Sequence, residues 1–253
     1  MRTVIIGSGN TATVLGKKIL AAGHEIVQVC GRNAGAAEEL AGILKTAFTT
    51  DLNNPDRNGD LYVLAIADDA ITSVAASLQL DKKLVVHTAG SVSMEVLKTC
   101  SRNYGILYPL QSLRKEIEGI PEIPFLVDGN TPDDLAVISE FAATLSDKVQ
   151  QANDKQRLKI HLAAVMVSNF TNHLYALADR YCRREKLNFS LLVPLISAIA
   201  ERVIHFEPAT VQTGPAVRHD TRTINKHLEL LDDHPDLKEF YTLFTMSIEK
   251  MYE

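Results

Sequence analysis

The chain has little of what several classes of protein require. It has only three cysteines, Cys30, Cys100 and Cys182, far apart and without a CxxC pair. That spacing excludes a disulfide framework and a zinc ribbon, and it fits buried or idle thiols in a reducing compartment. No metal site is expected. Basic residues are not in excess: the formal net charge is -5, the wrong sign for a nucleic-acid or anionic-membrane partner. Long hydrophobic runs are missing too. The most apolar stretch, LLVPLISAIA, is too short to span a bilayer and is interrupted by Pro194. No internal repeat and no low-complexity tract is present. The opening MRTVIIGSGN runs straight into a strand-and-turn pattern, with no leader-like stretch before it. A soluble, cytoplasmic protein without nucleic-acid or membrane partners is the expectation.

What the chain does have is ordinary globular composition, 46% hydrophobic and 23% charged over 253 residues. That is enough for one large domain or two modest ones. The first part alternates strand and helix signals. RTVII (2–6), EIVQVC (25–30), DLYVLAI (60–66), KLVVHT (83–88), GILYPL (105–110), PFLVDG (124–129) and KVQQA (148–152) read as strands. Helices are expected over 11–23, 34–44, roughly 69–79 and 132–146, the third capped by Asp68 or Asp69. Such alternation implies an α/β fold, a doubly wound, mostly parallel sheet of Rossmann type. After about residue 153 the strand signals stop. A long helix over 158–185, a second over 190–204 capped by Ser190, and two more over 220–231 and 236–252 predict a separate all-α domain. The expected division is therefore 1–152 and 153–253. The long helix is apolar on more than one face, which fits burial among helices or a homodimer contact through the helical domain.

VIIGSGNTATVLG places Gly7, Gly9 and Ala12 in the G-x-G-x-x-G/A pattern, between a strand and a helix. Gly7 allows the tight turn, Gly9 lets a pyrophosphate approach the backbone, and Ala12 permits close helix–strand packing. The loop from Gly7 through Ser8, Gly9, Asn10 and Thr11 to Ala12 is the expected dinucleotide cradle. At the end of the second strand stand Gly31, Arg32 and Asn33, where NAD-preferring domains usually carry an acid. An acid repels a 2′-phosphate and Arg32 attracts one, so NADP(H) is expected over NAD(H). The alternative for Arg32 is a solvated loop charge. Ile66, Ala67 and Asp68, with His87 and Thr88, lie past later strand ends and are expected at the cofactor. Capping is the favoured role for Asp68, and a structural role for His87 is as well founded as a functional one.

On the long helix His161, Ser168, Asn169 and Asn172 fall on one face. A polar stripe on an apolar helix either faces a reacting substrate or is satisfied at an interhelix contact. In the first case His161 is the expected general acid, with Ser168 and Asn169 orienting the substrate. The stretch TGPAVRHD (213–220) suggests a rigid turn, with Asp220 capping the next helix.

The cofactor loop resembles that of the pyrroline-5-carboxylate reductase and ketopantoate reductase group, within the 6-phosphogluconate dehydrogenase-like proteins. VVHTAGS, YPLQS, HLAAVMVSNFTNHLYALA and TGPAVRHDTRTINKHLELL are more closely similar to a bacterial family of NAD(P)-binding oxidoreductases. Its second half is a domain of unknown function. That family tends to carry His-Pro-Leu where this chain has Tyr108-Pro109-Leu110, so a proton-donor role at that position loses the family's support, while Tyr108 can still hydrogen-bond. The resemblance implies hydride transfer between NADP(H) and a small polar carbonyl or imine compound in an interdomain cleft, with Arg218 anchoring a substrate carboxylate or phosphate. Arg218 in a structural ion pair is the competing reading. A cofactor-binding sensor or partner-binding protein without turnover is the alternative function.

Overall fold

The computed structural model describes residues 1–253. Strand β1 (Arg2–Ile6) is buried on both faces, and its side chains alternate as a strand requires. Ile5 enters one apolar layer, while Val4 and Ile6 enter the other. The remaining strands are β2 (Glu25–Cys30), β3 (Ala47–Thr49), β4 (Leu61–Leu64), β5 (Asp81–His87), β6 (Ser101–Pro109), β7 (Phe125–Gly129) and β8 (Val149–Gln151). They form one sheet in the order β3-β2-β1-β4-β5-β6-β7-β8. Strands β1 to β6 are parallel, β7 runs antiparallel to β6, and β8 is parallel to β7.

Helices cover both faces, as continuous apolar strands demand. On one side α1 (Asn10–Ala21), α2 (Ala34–Leu44) and α4 (Pro132–Leu145) contribute Leu15, Ile19, Leu40, Leu44, Ile138 and Phe141. On the other, α3 (Asp68–Ser77) contributes Ile71 and Ala75, and a 3-10 turn over Met94–Thr99 contributes Leu97. Helix α5 (Asp154–Ala164) closes this second face: Ile160 packs against Ile106, Tyr108 and Leu126 of β6 and β7.

The chain divides into two compact units, Met1–Asn169 and Phe170–Glu253. The helix expected from 158 thus begins at Asp154 and lies on the sheet as α5, where the sequence pattern had put the domain boundary before it. Asn153 and Gln156 start it with a reciprocal capping box. Six residues, Val165–Phe170, then follow i→i+5 geometry, and helix resumes as α6 (Thr171–Arg184). The second unit is otherwise built from α7 (Val193–His205), α8 (Thr221–Leu230) and α9 (Pro235–Met251). No helix is long and apolar enough to cross a membrane.

Two local expectations are corrected, and one strand was not expected at all. Strand β3 is only three residues, on the half-exposed sheet edge, too short to give an apolar pattern. Before α7, Asn188 accepts from the Ser190 N–H and initiates a 3-10 turn, so Ser190 is not the cap. Helix α3 has Ala67 at its cap position and makes no side-chain cap bond. Asp68 is already inside the helix, with its carboxylate turned to another partner. Asp220 does cap α8, accepting from the Thr223 N–H at 3.1 Å.

Candidate active site

The chain reverses its order in the sheet between β1 and β4, and a crevice opens beyond the carboxyl ends of such strands. Here it is a cavity of about 760 Å³, walled by residues 7–11, Cys30 to Asn33 and Ala65 to Ala67. Gly7 adopts φ +131°, and its N–H donates to the Cys30 carbonyl at 2.7 Å. A Cβ there would lie 2.1 Å from the Ala65 carbonyl oxygen, so any side chain would push the ends of β1 and β4 apart. Gly9 caps α1 without a side-chain bond, and a Cβ on it would meet nothing within 4 Å. The start of α1 therefore presents first-turn N–H groups without a side-chain cap, beside a backbone stripped of bulk. Both properties suit a phosphate, which gains from the helix dipole as well.

At the end of β2 the cavity wall carries Gly31, Arg32 and Asn33 and no carboxylate. Arg32 is exposed. The Asn33 carboxamide oxygen accepts from the Ala36 N–H at 2.9 Å and caps α2, which leaves its NH₂ group as the free donor. Gly31 packs against Ser8: a Cβ would stand 3.0 Å from the Ser8 hydroxyl. Cys30 is fully buried, and burial pushes its thiol up to about 12, so it remains protonated in this wall. The residues present fit a nicotinamide dinucleotide: bare helix N–H groups, an open glycine, and a cation where an acid would repel a 2′-phosphate.

A second cavity, of about 590 Å³, adjoins the first through Thr11, which lines both. Its floor is the end of β5 and β6, and its wall is α5 with the i→i+5 segment. His161, Ser168 and Asn169 all line it, as do Asp68, Thr88, Gly90 and Tyr108. The Tyr108 hydroxyl and His161 Nδ1 are 2.8 Å apart, with the rings edge to face. A Cβ on Gly90 would lie 2.7 Å from His161 Nδ1 and 3.1 Å from Tyr108 Cζ, so only glycine lets the β5 loop pass beneath this pair. Burial, followed by the Asp68 charge, raises the Tyr108 hydroxyl above its ordinary value and holds it protonated. The Asp68 carboxylate accepts from the Ser91 hydroxyl at 2.6 Å.

Below the cavity, Arg157 is 1% exposed. It donates to the Val92 carbonyl and to Asp154 at 2.8 Å, while its Nε and Nη1 have no partner. It stands one turn before His161, so it ties the loop after β5 to the helix that carries the ring. A further strap runs between the two cavities. The Lys115 N–H donates to the Asn10 carboxamide oxygen at 3.3 Å, and Gln111 to Leu113 of the same loop line the second cavity.

The expected cofactor residues separate accordingly. Gly7, Ser8, Gly9, Asn10, Thr11, Gly31, Arg32, Asn33, Ile66 and Ala67 line the first cavity. Ala12 is fully buried and serves packing. Asp68 and Thr88 line the second cavity instead. His87 lines neither: it is fully buried, accepts from the Ala89 N–H at 3.2 Å, and lies 3.4 Å from the Ser93 carbonyl. Its position at a strand end suggested access, but the Met94–Thr99 turn and Arg157 enclose it. Arg218 is an exposed residue of the second unit, at the end of a 3-10 turn over Ala216–Arg218. Thr223 first, and Arg218 to a lesser degree, hold the Asp220 carboxyl below its usual range. Thr213, Gly214 and Pro215 line an apolar cavity of that unit together with Phe240 and Phe244, and Gly214 has φ +117°. Gly90 and Arg157 escaped the sequence reading, which had singled out Tyr108 only as a departure from the family's histidine. The spacing of Arg157 to His161, one helical turn, was the available signal.

The chain matches two family models: NADP oxidoreductase, coenzyme F420-dependent, over residues 2–90, and a domain of unknown function, DUF2520, over residues 123–248. No curated protein matches. Among solved structures, a candidate NADP oxidoreductase from Bacteroides fragilis is 39% identical, with 98% of each chain covered and a TM-score of 0.92. The fold is shared with 1-pyrroline-5-carboxylate reductase from Streptococcus pyogenes, at 16% identity, 99% and 98% coverage and a TM-score of 0.66. It is also shared with an imine reductase from Myxococcus stipitatus in complex with NADP+, at 15% identity, 99% and 93% coverage and a TM-score of 0.65. A variant of the latter is in complex with NAD+.

The enclosure of His87 has a measurable consequence. Burial first, and the Arg157 charge second, lower its pKa from 6.5 to about 4. The unfolded chain therefore holds one more proton than the folded one between those values. Neutral His87 favours the fold above pH 6.5, and that contribution declines as pH falls toward 4, at about 1.4 kcal/mol per pH unit. Urea unfolding of wild type and His87→Gln across pH 4–7 is expected to show this slope in the difference between them. Parallel pH profiles would refute the assignment.

Proposed function

The chain belongs to the NADP oxidoreductase-like family in which a Rossmann-type domain precedes DUF2520, and from that premise we propose that it is a reductase that binds NADP(H) in preference to NAD(H) and reduces a small polar carbonyl or imine compound. The observation that carries this reading is the continuity of the two cavities at Thr11. It joins a phosphate-ready helix start to a wall bearing a proton-transfer pair, Tyr108 and His161.

In this reading the nicotinamide ring supplies the hydride, and the chain supplies everything else. The N–H groups opening α1 hold the pyrophosphate beside Gly9. Arg32 holds the 2′-phosphate through charge-assisted bonds, which are stronger than neutral ones. His161 gives a proton to the substrate atom that gains electrons. Tyr108 fixes the ring for this transfer: its hydroxyl accepts from Nδ1–H in the imidazolium and in the neutral ring alike. The mobile proton is thereby assigned to Nε2. Ser168 and Asn169, both about two turns further along the wall, orient the polar substrate.

Calorimetric titration with NADPH and NADH tests the reading. NADPH is expected to bind at least about tenfold more tightly, a difference of about 1.4 kcal/mol, and Arg32→Ala should remove that preference. Failure to bind either nucleotide would overturn the reading.

Nitrogen-15 NMR of the His161 ring examines the proton-transfer pair directly. With the ring neutral, wild type is expected to show a single Nδ1–H tautomer, and Tyr108→Phe a mixture. Identical ring shifts in the two proteins would remove Tyr108 from the mechanism.

The second unit also exposes large apolar side chains, among them Leu191, Leu195, Ile204, Phe206, Leu243 and Met246. A monomer rarely leaves so many uncovered, so the same reading includes a homodimer formed through this unit. Light scattering at micromolar concentration should return twice the 27.8 kDa chain mass; a single-chain mass would exclude it.

A further inference from the structure

The charges around the second cavity restrict what it can take. Of the side chains in its wall, Asp68 alone carries a full charge at neutral pH besides the titratable ring of His161; no lysine or arginine is among them. Asp68 belongs to no ion pair within the unit. Its hydrogen-bond partner is the neutral Ser91 hydroxyl, at 2.6 Å. The buried Arg157 beneath does not balance it, because that guanidinium already pairs with Asp154 at 2.8 Å. The remaining polar side chains, Thr88, Tyr108, Gln111, Ser168 and Asn169 among them, are neutral. A carboxylate in a concave, partly apolar wall repels anions and attracts a cation more strongly than it would in open water.

We propose that the second cavity selects a cationic nitrogen compound without a carboxylate, an iminium as substrate and the corresponding ammonium as product, with Asp68 as its counter-ion. The proposal rests on the reductase reading above and narrows it from carbonyl or imine to iminium. The redox balance is that of imine reduction. A hydride from the reduced dinucleotide adds to the carbon of C=N⁺, the π pair passes to nitrogen, and the dinucleotide leaves oxidised. The neutral amine so formed takes a proton from His161 and departs as the ammonium. Asp68 holds the positive charge at both ends of the reaction and takes no part in the bond changes. Its place in the first turn of α3 gives it a structural reason to exist as well, since an acid there complements the helix dipole, so the test must separate recognition from helix stabilisation.

The test uses the full chain saturated with NADP+, and NMR titration with three six-membered-ring probes. Piperidine is a cation at neutral pH, tetrahydropyran is its neutral isostere, and piperidine-2-carboxylate adds an anionic group. Piperidinium is expected to bind at least about tenfold more tightly than tetrahydropyran, and more tightly than the carboxylate. In Asp68→Asn the ratio of piperidinium to tetrahydropyran affinity should fall to about one, while thermal stability reports any loss of the helix-dipole contribution separately. Equal affinity for the first two probes in wild type would overturn the proposal, as would no binding of any probe with NADP+ bound. Tightest binding of the carboxylate, lost in Arg218→Ala, would also overturn it, in favour of an anionic substrate. In each of these cases NADP+ binding, measured in the same samples, leaves the reductase reading standing; its absence would defeat both.

Discussion

The placement of α5 against the sheet depends on one buried guanidinium. Arg157 is withdrawn from water, held by the Val92 carbonyl and by Asp154, and left with two nitrogens unpaired. Burying a charge costs several kcal/mol unless it is well paired, so this is an expensive way to attach a helix. What it secures is position. The loop after β5 and the first turns of α5 are fixed to one another, and the next turn carries His161 over Gly90 to Tyr108. Removing the guanidinium would leave Asp154 and the loop carbonyl without their partner at the base of the site.

Two kinds of glycine support the two cavities, for different reasons. Gly7 and Gly90 are required because something else already occupies the space a Cβ would take: the Ala65 carbonyl in one case, the His161 and Tyr108 rings in the other. Gly9 faces open space, and its lack of a side chain matters only to a ligand. The first kind builds the wall and the second keeps it approachable. The Gly7/Gly9 pair is the recognisable part of the sequence because both requirements fall within three residues.

Much of the Rossmann-type unit was legible from sequence. RTVII and EIVQVC gave strands with the observed bounds, and AGAAEELAGIL gave its helix, since buried parallel strands and amphipathic helices leave strong local patterns. Strand β3 escaped because three half-exposed residues have no period to detect. The cofactor loop was legible for the same local reason, a turn whose chemistry lies in consecutive residues. The second cavity was legible only in part. His161, Ser168 and Asn169 share a helix face and were found together. Tyr108 and Gly90 reach them from β6 and the loop after β5, at separations no local pattern encodes. His87 shows the opposite failure: a histidine at a strand end resembled a site residue, and only the packing of other elements showed it to be enclosed.

The strap between Lys115 and Asn10 gives the two cavities a common mechanical element. One end is held by the loop that would receive the pyrophosphate, and the preceding residues of the same segment, Gln111 to Leu113, form part of the other cavity's wall. A ligand that moved or ordered Asn10 would alter that wall, and a ligand that ordered the wall would return the same free energy to the first site, because coupling between two sites is reciprocal. If the two cavities take the ligands proposed above, the segment from Gln111 to Lys115 is the element through which their occupancies would be linked, and neither affinity would then be a property of its own cavity alone.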